Sequence, residues 1–341
     1  MDSITQMALG AAVGEAVLGR RIGNRAMLWG AALGTLPDLD VLVPLGGPVA
    51  DFTWHRSYSH SLIVLALVSP LIARVLWRMP RPDNPPFRLW WWMAFLVLMT
   101  HPLLDAFTVY GTQLLWPLDP TPVSWSTLFI IDPAYTLPLL GGVLGTLLLV
   151  RPGASRPWRL NAAGLVLSTL YIGWSVLAKQ MIEADARASL AAQGLPTEPL
   201  LSTPAPFNTL LWRVLVMDGD RYLEGFDSLV DDDSRLRAVA YPHRPELLEG
   251  IEDHWPVRRL EWFTHGFRSV SLEGDEVLIT DLRMGVEPSY VFRFQVGLRE
   301  DGRTIPAPAA AARVQLRRGS AGAALGADLD IGHRSGAVRE E

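Results

Sequence analysis

The sequence predicts an all-α polytopic membrane domain of about six spans, followed by a small C-terminal α+β soluble domain and a disordered tail. Charged residues make up only 19% of the 341 residues and hydrophobic residues 49%, whereas soluble domains usually carry about 25% charged residues. The mean hydropathy is positive, at +0.20. Long apolar runs fill the first half of the chain, and shorter, strand-length runs follow them. These observations favour helices in a bilayer before a water-soluble part.

The composition also limits the chemistry. The chain contains no cysteine, which excludes thiolate zinc sites, iron–sulfur clusters and cysteine nucleophiles. A bound metal must therefore be held by histidines and carboxylates. The formal net charge of −5 lacks the basic excess of a nucleic-acid-binding surface, so no nucleic-acid partner is expected.

The predicted spans follow from run length, because about 20 apolar residues are needed to cross the hydrocarbon core. Four runs qualify, at residues 61–77, 89–107, 127–150 and 160–178. Two weaker runs, 4–19 and 26–45, precede them, and Pro37, Asp38 and Asp40 interrupt the second. This first hairpin is either two full spans or a shorter re-entrant pair.

Arginine placement predicts the orientation, because short cytoplasmic loops are enriched in Lys and Arg. Arginines gather around residues 20–25, 74–88 and 151–159, whereas the connection 108–126 has neither Lys nor Arg. Six spans with both ends outside satisfy this pattern. The predicted divisions are a transmembrane domain with a metal site over residues 1–182, an extracytoplasmic α+β domain over 183–302 and a disordered tail over 303–341.

Within the outer domain, residues 214–217, 277–280 and 290–296 are predicted strands and 229–239 a predicted helix. The stretch after residue 303 begins with an Ala-Pro run and continues with Gly and Ser, a composition typical of disorder.

Ionisable residues inside the apolar runs are candidates for function, because an Asp at a helix centre costs about 2.5–3.5 kcal/mol on insertion. They occur where runs are interrupted, begin or end. The third and fourth spans are antiparallel, so the start of one and the end of the other meet at one membrane face. The same topology brings the whole set to that face: Asp38, Asp40, His55, His60, His101, Asp105 and Asp132.

Imidazoles and carboxylates without thiolates suit Zn²⁺, with Mn²⁺ and Fe²⁺ as alternatives. His101 and Asp105 are spaced i and i+4, so they share a helix face if the helix continues through Pro102, which could instead begin a new turn. His55 and His60 can both reach an ion if His55 lies in the entering loop. The predicted ligands of one or two ions are His55, His60, His101 and Asp105, with either Asp38 or Asp40 as the remaining ligand. Asp40 is preferred.

Three further residues are predicted to act around the ion. Asp38 is the candidate general base, and Asp132 would orient a ligand histidine. Arg56 would pair with Asp51 or with the cluster, or would hold an anionic group such as phosphate. A plainer interpretation stays open, in which the Pro-Asp-x-Asp stretch forms a helix cap and the histidines make interfacial hydrogen bonds.

Three strings carry a resemblance to a known family: Gly-Thr-Leu-Pro-Asp-Leu-Asp at 34–40, His-Arg-Ser-Tyr-Ser-His-Ser at 55–61 and Thr-His-Pro-Leu-Leu-Asp at 100–105. Over roughly residues 1–180 the chain resembles the YdjM/YbcI-type family of membrane-bound predicted metal-dependent hydrolases. The resemblance implies a bacterial inner-membrane protein with a divalent-metal site built from the acids and histidines of these strings. The outer domain is similar to an extension found in some members.

Together these features predict a membrane-embedded metal-dependent hydrolase near the outer leaflet, acting on a lipid or lipid-linked ester or phosphoester, with the bilayer as its partner. The alternative is a non-enzymatic, metal-stabilised scaffold or stress-response partner, and a transporter is a third class. A structural zinc site is closed by four protein ligands, whereas a catalytic one keeps an open position.

Overall fold

The computed structural model describes residues 1–79, 84–149, 157–231 and 235–312. The helices in these ranges fall mainly in the first half of the chain. They are α1 (Ser3–Ile22), α2 (Arg25–Thr35), α3 (Pro48–Trp54), α4 (Leu62–Arg78), α5 (Phe87–Ala106), α6 (Pro133–Leu148), α7 (Trp158–Ala192) and α8 (Trp255–Thr264).

Helices α1 and α2 form a close antiparallel hairpin because glycines line their contact. A Cβ atom on Gly10 would lie 2.3 Å from the Gly30 carbonyl oxygen, and one on Gly34 would lie 2.5 Å from the Gln6 carbonyl oxygen. Only residues without a side chain allow backbones to approach this closely. The hairpin thereby fixes the C-terminal end of α2, which leads into the 3₁₀ turn Pro37–Leu42.

Two helices, α5 and α7, are long and apolar enough to cross a membrane, and a third candidate arises if Pro48–His60 and Leu62–Arg78, bent by 54°, form one broken span. Among the described residues, six spans are therefore not confirmed. Helix α2 has only 11 residues, which rise about 16 Å against a hydrocarbon core of about 30 Å. Its length fits the shorter-hairpin alternative.

The C-terminal part contains two four-stranded antiparallel sheets, ordered β1-β2-β3-β4 and β10-β9-β6-β5, and a small β7-β8 hairpin. The strands are β1 (Leu200–Pro204), β2 (Leu211–Asp218), β3 (Arg221–Ser228), β4 (Val239–Pro242), β5 (Arg268–Glu273), β6 (Glu276–Asp281), β7 (Gly285–Val286), β8 (Ser289–Tyr290), β9 (Arg293–Glu300) and β10 (Arg303–Ala311).

The predicted strands 214–217 and 277–280 lie within β2 and β6, and 290–296 overlaps β8 and β9. The predicted helix at 229–239 is wrong: its described residues form no helix, and Val239 begins β4. Of its apolar residues, Val239 pairs with β3 as part of the edge strand, and Leu236 is buried in the core between α7 and the first sheet.

The predicted start of the tail at 303 is also wrong, because residues 303–311 form β10, paired with β9. Strand β10 lies at a sheet edge, where Pro306 and Pro308 are tolerated because no neighbouring strand needs their missing N–H groups. The remainder of the predicted tail, from residue 313, lies outside the described residues.

Two helices join the membrane part to the sheets. The last turns of α7 bury Ile182, Ala186 and Leu190 against Trp212 and other apolar residues of the first sheet. Helix α7 thus runs without a break through the predicted boundary at 182–183.

Helix α3 buries Val49 and Phe52 in the core of the second sheet. In addition, Arg259 of α8 donates to the Thr53 hydroxyl at 2.9 Å. The chain segment that enters the predicted site is therefore held by the C-terminal domain.

Candidate metal centre

Four of the predicted residues converge on one point. Asp38, His60, His101 and Asp105 each offer one ligand atom, and these four atoms lie within 4.8 Å of one another. The two imidazole Nε2 atoms are 3.1 Å apart. Asp105 Oδ2 lies 3.2 Å from the Nε2 of His60 and 3.4 Å from that of His101. Asp38 Oδ1 lies 3.4 Å from both nitrogens.

Local structure explains how each ligand residue is positioned. Helix α5 continues through Pro102, so His101 and Asp105 lie one turn apart on the same face. His60 ends a short 3₁₀ turn, and the next residue, Ser61, caps α4 by accepting a hydrogen bond from the Val64 amide at 3.3 Å. Because α4 begins where α5 ends, the predicted meeting of these clusters at one end of the helices is confirmed for His60, His101 and Asp105.

The hydrogen-bond network assigns the protons of the two imidazoles. His101 Nδ1 lies 2.6 Å from the Gly34 carbonyl oxygen, which only accepts, so Nδ1 carries the proton. Ser59 donates to Asp40 Oδ2 at 2.5 Å, so its oxygen accepts from His60 Nδ1 at 2.9 Å. In neutral imidazoles with these assignments, both Nε2 atoms are lone-pair acceptors, and they face each other.

Asp105 supplies a further acceptor. It is fully buried, and its Oδ2 atom has no hydrogen-bond partner among the described residues. Its other oxygen accepts from Gln6 Nε2 at 3.1 Å, lies 3.5 Å from Arg56 Nη2 and contacts the Met1 amine. A buried acceptor left unpaired is costly, and here it points towards two bare nitrogens.

A divalent cation fits this donor set. Four ligands about 2.0–2.1 Å from a tetrahedral ion lie about 3.3–3.4 Å from one another. The five ligand-atom separations given above span 3.1–3.4 Å. The residues present therefore suit one ion held by two imidazoles and two carboxylates, and Asp38 is the ligand most accessible to solvent, at 21%.

Asp40 and His55, both predicted ligands, lie outside this four-atom group. They pair with each other instead, since His55 Nδ1 is 2.8 Å from Asp40 Oδ1. The other Asp40 oxygen accepts from Ser59 and from the Arg56 amide at 3.1 Å. A 3₁₀ turn has three residues per turn, so positions 38 and 40 point in different directions, Asp38 towards the ligands and Asp40 towards the supporting residues.

Arg56 lies beside the centre. It is only 4% exposed, adopts a left-handed backbone at φ 62°, and donates to the Thr108 hydroxyl at 3.3 Å. Its guanidinium carbon lies 5.0 Å from the centre of the Tyr110 ring, and its Nε has no hydrogen-bond partner within the described residues.

Asp132 lies elsewhere. It caps α6, accepting from the amides of Ala134 and Tyr135, and its second oxygen accepts from the Tyr171 hydroxyl at 3.1 Å. These hydrogen bonds belong to a helix cap and a helix–helix contact, and none of them reaches an imidazole.

Sequence reasoning missed the supporting residues. Gln6, Ser59, Thr108 and Tyr110 all contact a site residue. Gln6 alone gave a signal, as an amide within an otherwise apolar predicted segment. The hydroxyl residues lie in polar connections, where nothing in the sequence distinguishes them from their neighbours.

Comparison with known proteins places the chain in a family. The model of the family described as YdjM inner membrane protein matches residues 1–182. The uncharacterized protein YfhP of Bacillus subtilis (strain 168) is 29% identical over 140 residues, which cover 39% of this chain and 42% of that relative. The chain thus matches less than half of the relative's length. No solved structure shows significant similarity. Since the family match covers more than half of the sequence and includes every ligand described above, the chain belongs to the YdjM inner membrane protein family.

Proposed function

We propose that this protein is a membrane-embedded, metal-dependent hydrolase that acts near the outer leaflet on a lipid or lipid-linked ester or phosphoester. The proposal of a bound metal rests on the convergence of two unprotonated imidazole nitrogens and two carboxylate oxygens. A cation relieves the repulsion among these lone pairs, and with it the cost of burying the acids. We take Zn²⁺ as the first candidate and Mn²⁺ or Fe²⁺ as alternatives.

A divalent ion in this site would supply Lewis acidity, lowering the pKa of a water molecule and polarising the bond to be cleaved. The protein supplies a proton acceptor beside it. Asp40 accepts the Nδ1 proton of His55 at 2.8 Å, which leaves His55 Nε2 free to accept a proton from water. His55 is partly exposed, so it can reach a substrate. This assignment gives His55 the role of base that the sequence favoured for Asp38.

Arg56 is the proposed contact for an anionic group. Its charge is buried, its Nε is unpaired within the described residues, and the contact with Tyr110 holds its plane in place. A guanidinium in that position can bind a phosphate or carboxylate oxygen. The placement of the site and of the C-terminal domain on the outer side of a multi-pass inner-membrane protein is part of the same proposal, supported by the arginine-free connection 108–126.

One observation favours the alternative of a non-enzymatic, metal-stabilised scaffold or stress-response partner. The four protein ligands already suffice for a closed tetrahedral site, the usual arrangement of structural zinc. The Asp40–His55 pair argues for the hydrolase, because an ion that only ties helices together needs no free imidazole beside it.

Metal analysis of the detergent-purified protein tests the proposal. His60→Ala and Asp105→Asn should each lose the ion that the wild type retains. His254→Ala should keep it, because that histidine lies in the C-terminal domain, where it contacts the Ala307 carbonyl oxygen. Equal metal content in all four proteins would overturn the proposed centre.

Turnover on a panel of phospholipids and phosphoesters then separates the two functions. The wild type should hydrolyse a member of the panel, and His55→Gln should retain the ion with little turnover. Retained metal without any turnover in the wild type would favour the scaffold.

A further inference from the structure

One turn of the C-terminal domain contacts the side of a candidate membrane-spanning helix. The turn between β1 and β2, residues 205–210, places the Thr209 hydroxyl 3.1 Å from both Trp174 Nε1 and the Tyr171 hydroxyl. Both aromatic residues belong to α7, one of the two helices apolar and long enough to span a bilayer. Trp and Tyr are enriched where such helices meet the headgroups.

The sequence of α7 gives the depth of this contact. Between Arg159 and Lys179 the helix carries no charged residue, and the 20 residue steps from one to the other rise about 30 Å, the thickness of the hydrocarbon core. Trp174 precedes Lys179 by five residues, so it lies about 7 Å inside the charged end. Lys179 marks that end by donating to the Ser202 carbonyl oxygen of β1 at 2.9 Å.

Apolar side chains of this turn and of the segment before α6 are uncovered. Phe207 is 58% exposed, and Leu210 and Ile131 are each 46% exposed. Residues 205–210 contain no charged side chain. The Phe207 and Phe129 ring centres are 5.8 Å apart, so the turn and the segment before α6 form one apolar surface.

The backbone of the turn keeps Phe207 outward at some cost. Phe207 has φ 67°, a left-handed conformation that a bulky side chain rarely adopts. Asn208 holds the turn by accepting hydrogen bonds from the amides of Leu210 and Leu211, each at 2.9 Å. Strain of this kind persists where the exposed residue has a use.

We infer that the β1–β2 turn, with Phe129–Ile131, is a membrane-dipping surface that inserts Phe207 and Leu210 into the headgroup boundary of the leaflet nearest the metal centre. Its partner is the lipid surface itself, because the contact with Trp174 makes the turn continuous with the lipid-facing part of α7. Burial of aromatic and leucine side chains at this depth is how interfacial segments attach to bilayers. The inference is independent of the hydrolase, since it uses none of the ligands.

Single-cysteine labelling tests the inference directly, because the natural chain has no cysteine. Phe207→Cys, Leu210→Cys and Ile131→Cys would each be labelled with an environment-sensitive fluorophore in the full chain. The labelled proteins would be reconstituted in phosphatidylcholine and phosphatidylglycerol vesicles. Asp220→Cys is the matched control, because Asp220 is exposed in the turn at the other end of β2.

The three apolar positions should show blue-shifted emission, strong quenching by a spin label near the lipid headgroups and weak quenching by aqueous iodide, relative to Asp220→Cys. Iodide quenching equal to that of the control at both Phe207→Cys and Leu210→Cys would overturn the inference. Efficient disulfide formation between two Phe207→Cys chains would also overturn it, because a second copy would then cover the surface.

Discussion

Buried charge is arranged differently in the two halves of the molecule. Two buried acids of the C-terminal domain each face a guanidinium: Arg213 contacts Glu224, and Arg283 binds Asp281 through two nitrogens. Arg213 also donates to the Leu282 carbonyl oxygen at 2.7 Å and to the Tyr290 hydroxyl at 3.0 Å. Donors and acceptors therefore balance around these two acids.

The helical half departs from that balance. Asp38, His60, His101 and Asp105 direct four acceptors at one another, and Asp105 Oδ2 has no hydrogen-bond partner among the described residues. The comparison shows that a buried charge alone does not indicate function in this protein. An excess of lone pairs at one point does, because only a cation from outside the chain can satisfy it.

Removing one partner of a balanced pair should produce the largest effect. Arg213→Ala leaves Glu224 buried without its cation, which should lower the free energy of unfolding by about 3–5 kcal/mol. Unfolding followed by far-ultraviolet circular dichroism measures this change. Arg221→Ala, in an exposed pair with Asp218, is the control and should cost at most about 1 kcal/mol. Equal losses in both variants would remove the distinction drawn for the C-terminal domain.

Metal removal should affect only the unbalanced cluster. A chelator should lower the melting temperature of the wild type, because an ion present at 1,000 times its Kd stabilises the folded state by about 4 kcal/mol. The same chelator should leave His60→Ala unchanged. A thermal shift of equal size in both proteins would place the responsible ion elsewhere.

Asp40→Asn tests whether the supporting residues tune the centre. Asp40 accepts from Ser59, which in turn positions His60, so its loss should weaken ion binding by about 10–100-fold. Competition with a chromogenic chelator measures the affinity. Asp51→Asn is the control, because Asp51 is exposed and accepts from the Leu45 amide. Unchanged affinity in Asp40→Asn would show that Asp40 serves only His55.

The smallest expected effect concerns a histidine in the balanced half. Burial and the nearby Arg268 guanidinium lower the pKa of His243 from its usual 6.5, and its Nδ1 accepts from the Val270 amide at 3.1 Å. As the pH falls from about 6.5 towards the lower pKa of the folded protein, the unfolded chain binds more protons at this histidine than the folded chain does. The free energy of unfolding should therefore decrease over this pH range.

Thermal unfolding at about pH 7 and about pH 5.5, within the range where histidines titrate, measures the effect. His243→Gln should show a smaller loss of stability than the wild type across this interval. An equal or larger loss in the variant would contradict the assignment of a buried neutral imidazole.

The convergence of His60, His101 and Asp105 was predictable from the sequence, because helix spacing and antiparallel helices determine it. His101 and Asp105 are on one face of α5, and His60 reaches them from the start of α4. The choice between Asp38 and Asp40 was not predictable, because it depends on the Pro37–Leu42 segment forming a 3₁₀ turn. In a turn with three residues per turn, side chains that are two positions apart point in different directions.

Other misses also have physical causes. Strand β10 has an Ala-Pro composition typical of disorder, and its order comes from main-chain pairing with β9, which side-chain patterns do not reveal. The length of α7 was underestimated because its apolar character ends near Lys179, whereas the helix continues as the partner of a sheet.

Helix α7 has 35 residues, about 52 Å in length, and neither glycine nor proline lies between its apolar part and the residues that pack on the first sheet. The first sheet is thus attached to one end of a continuous helix whose other end is long and apolar enough to span a bilayer. In a bilayer whose thickness changes the tilt of such a helix, the attached sheet would tilt with it, which would make the C-terminal domain sensitive to membrane thickness.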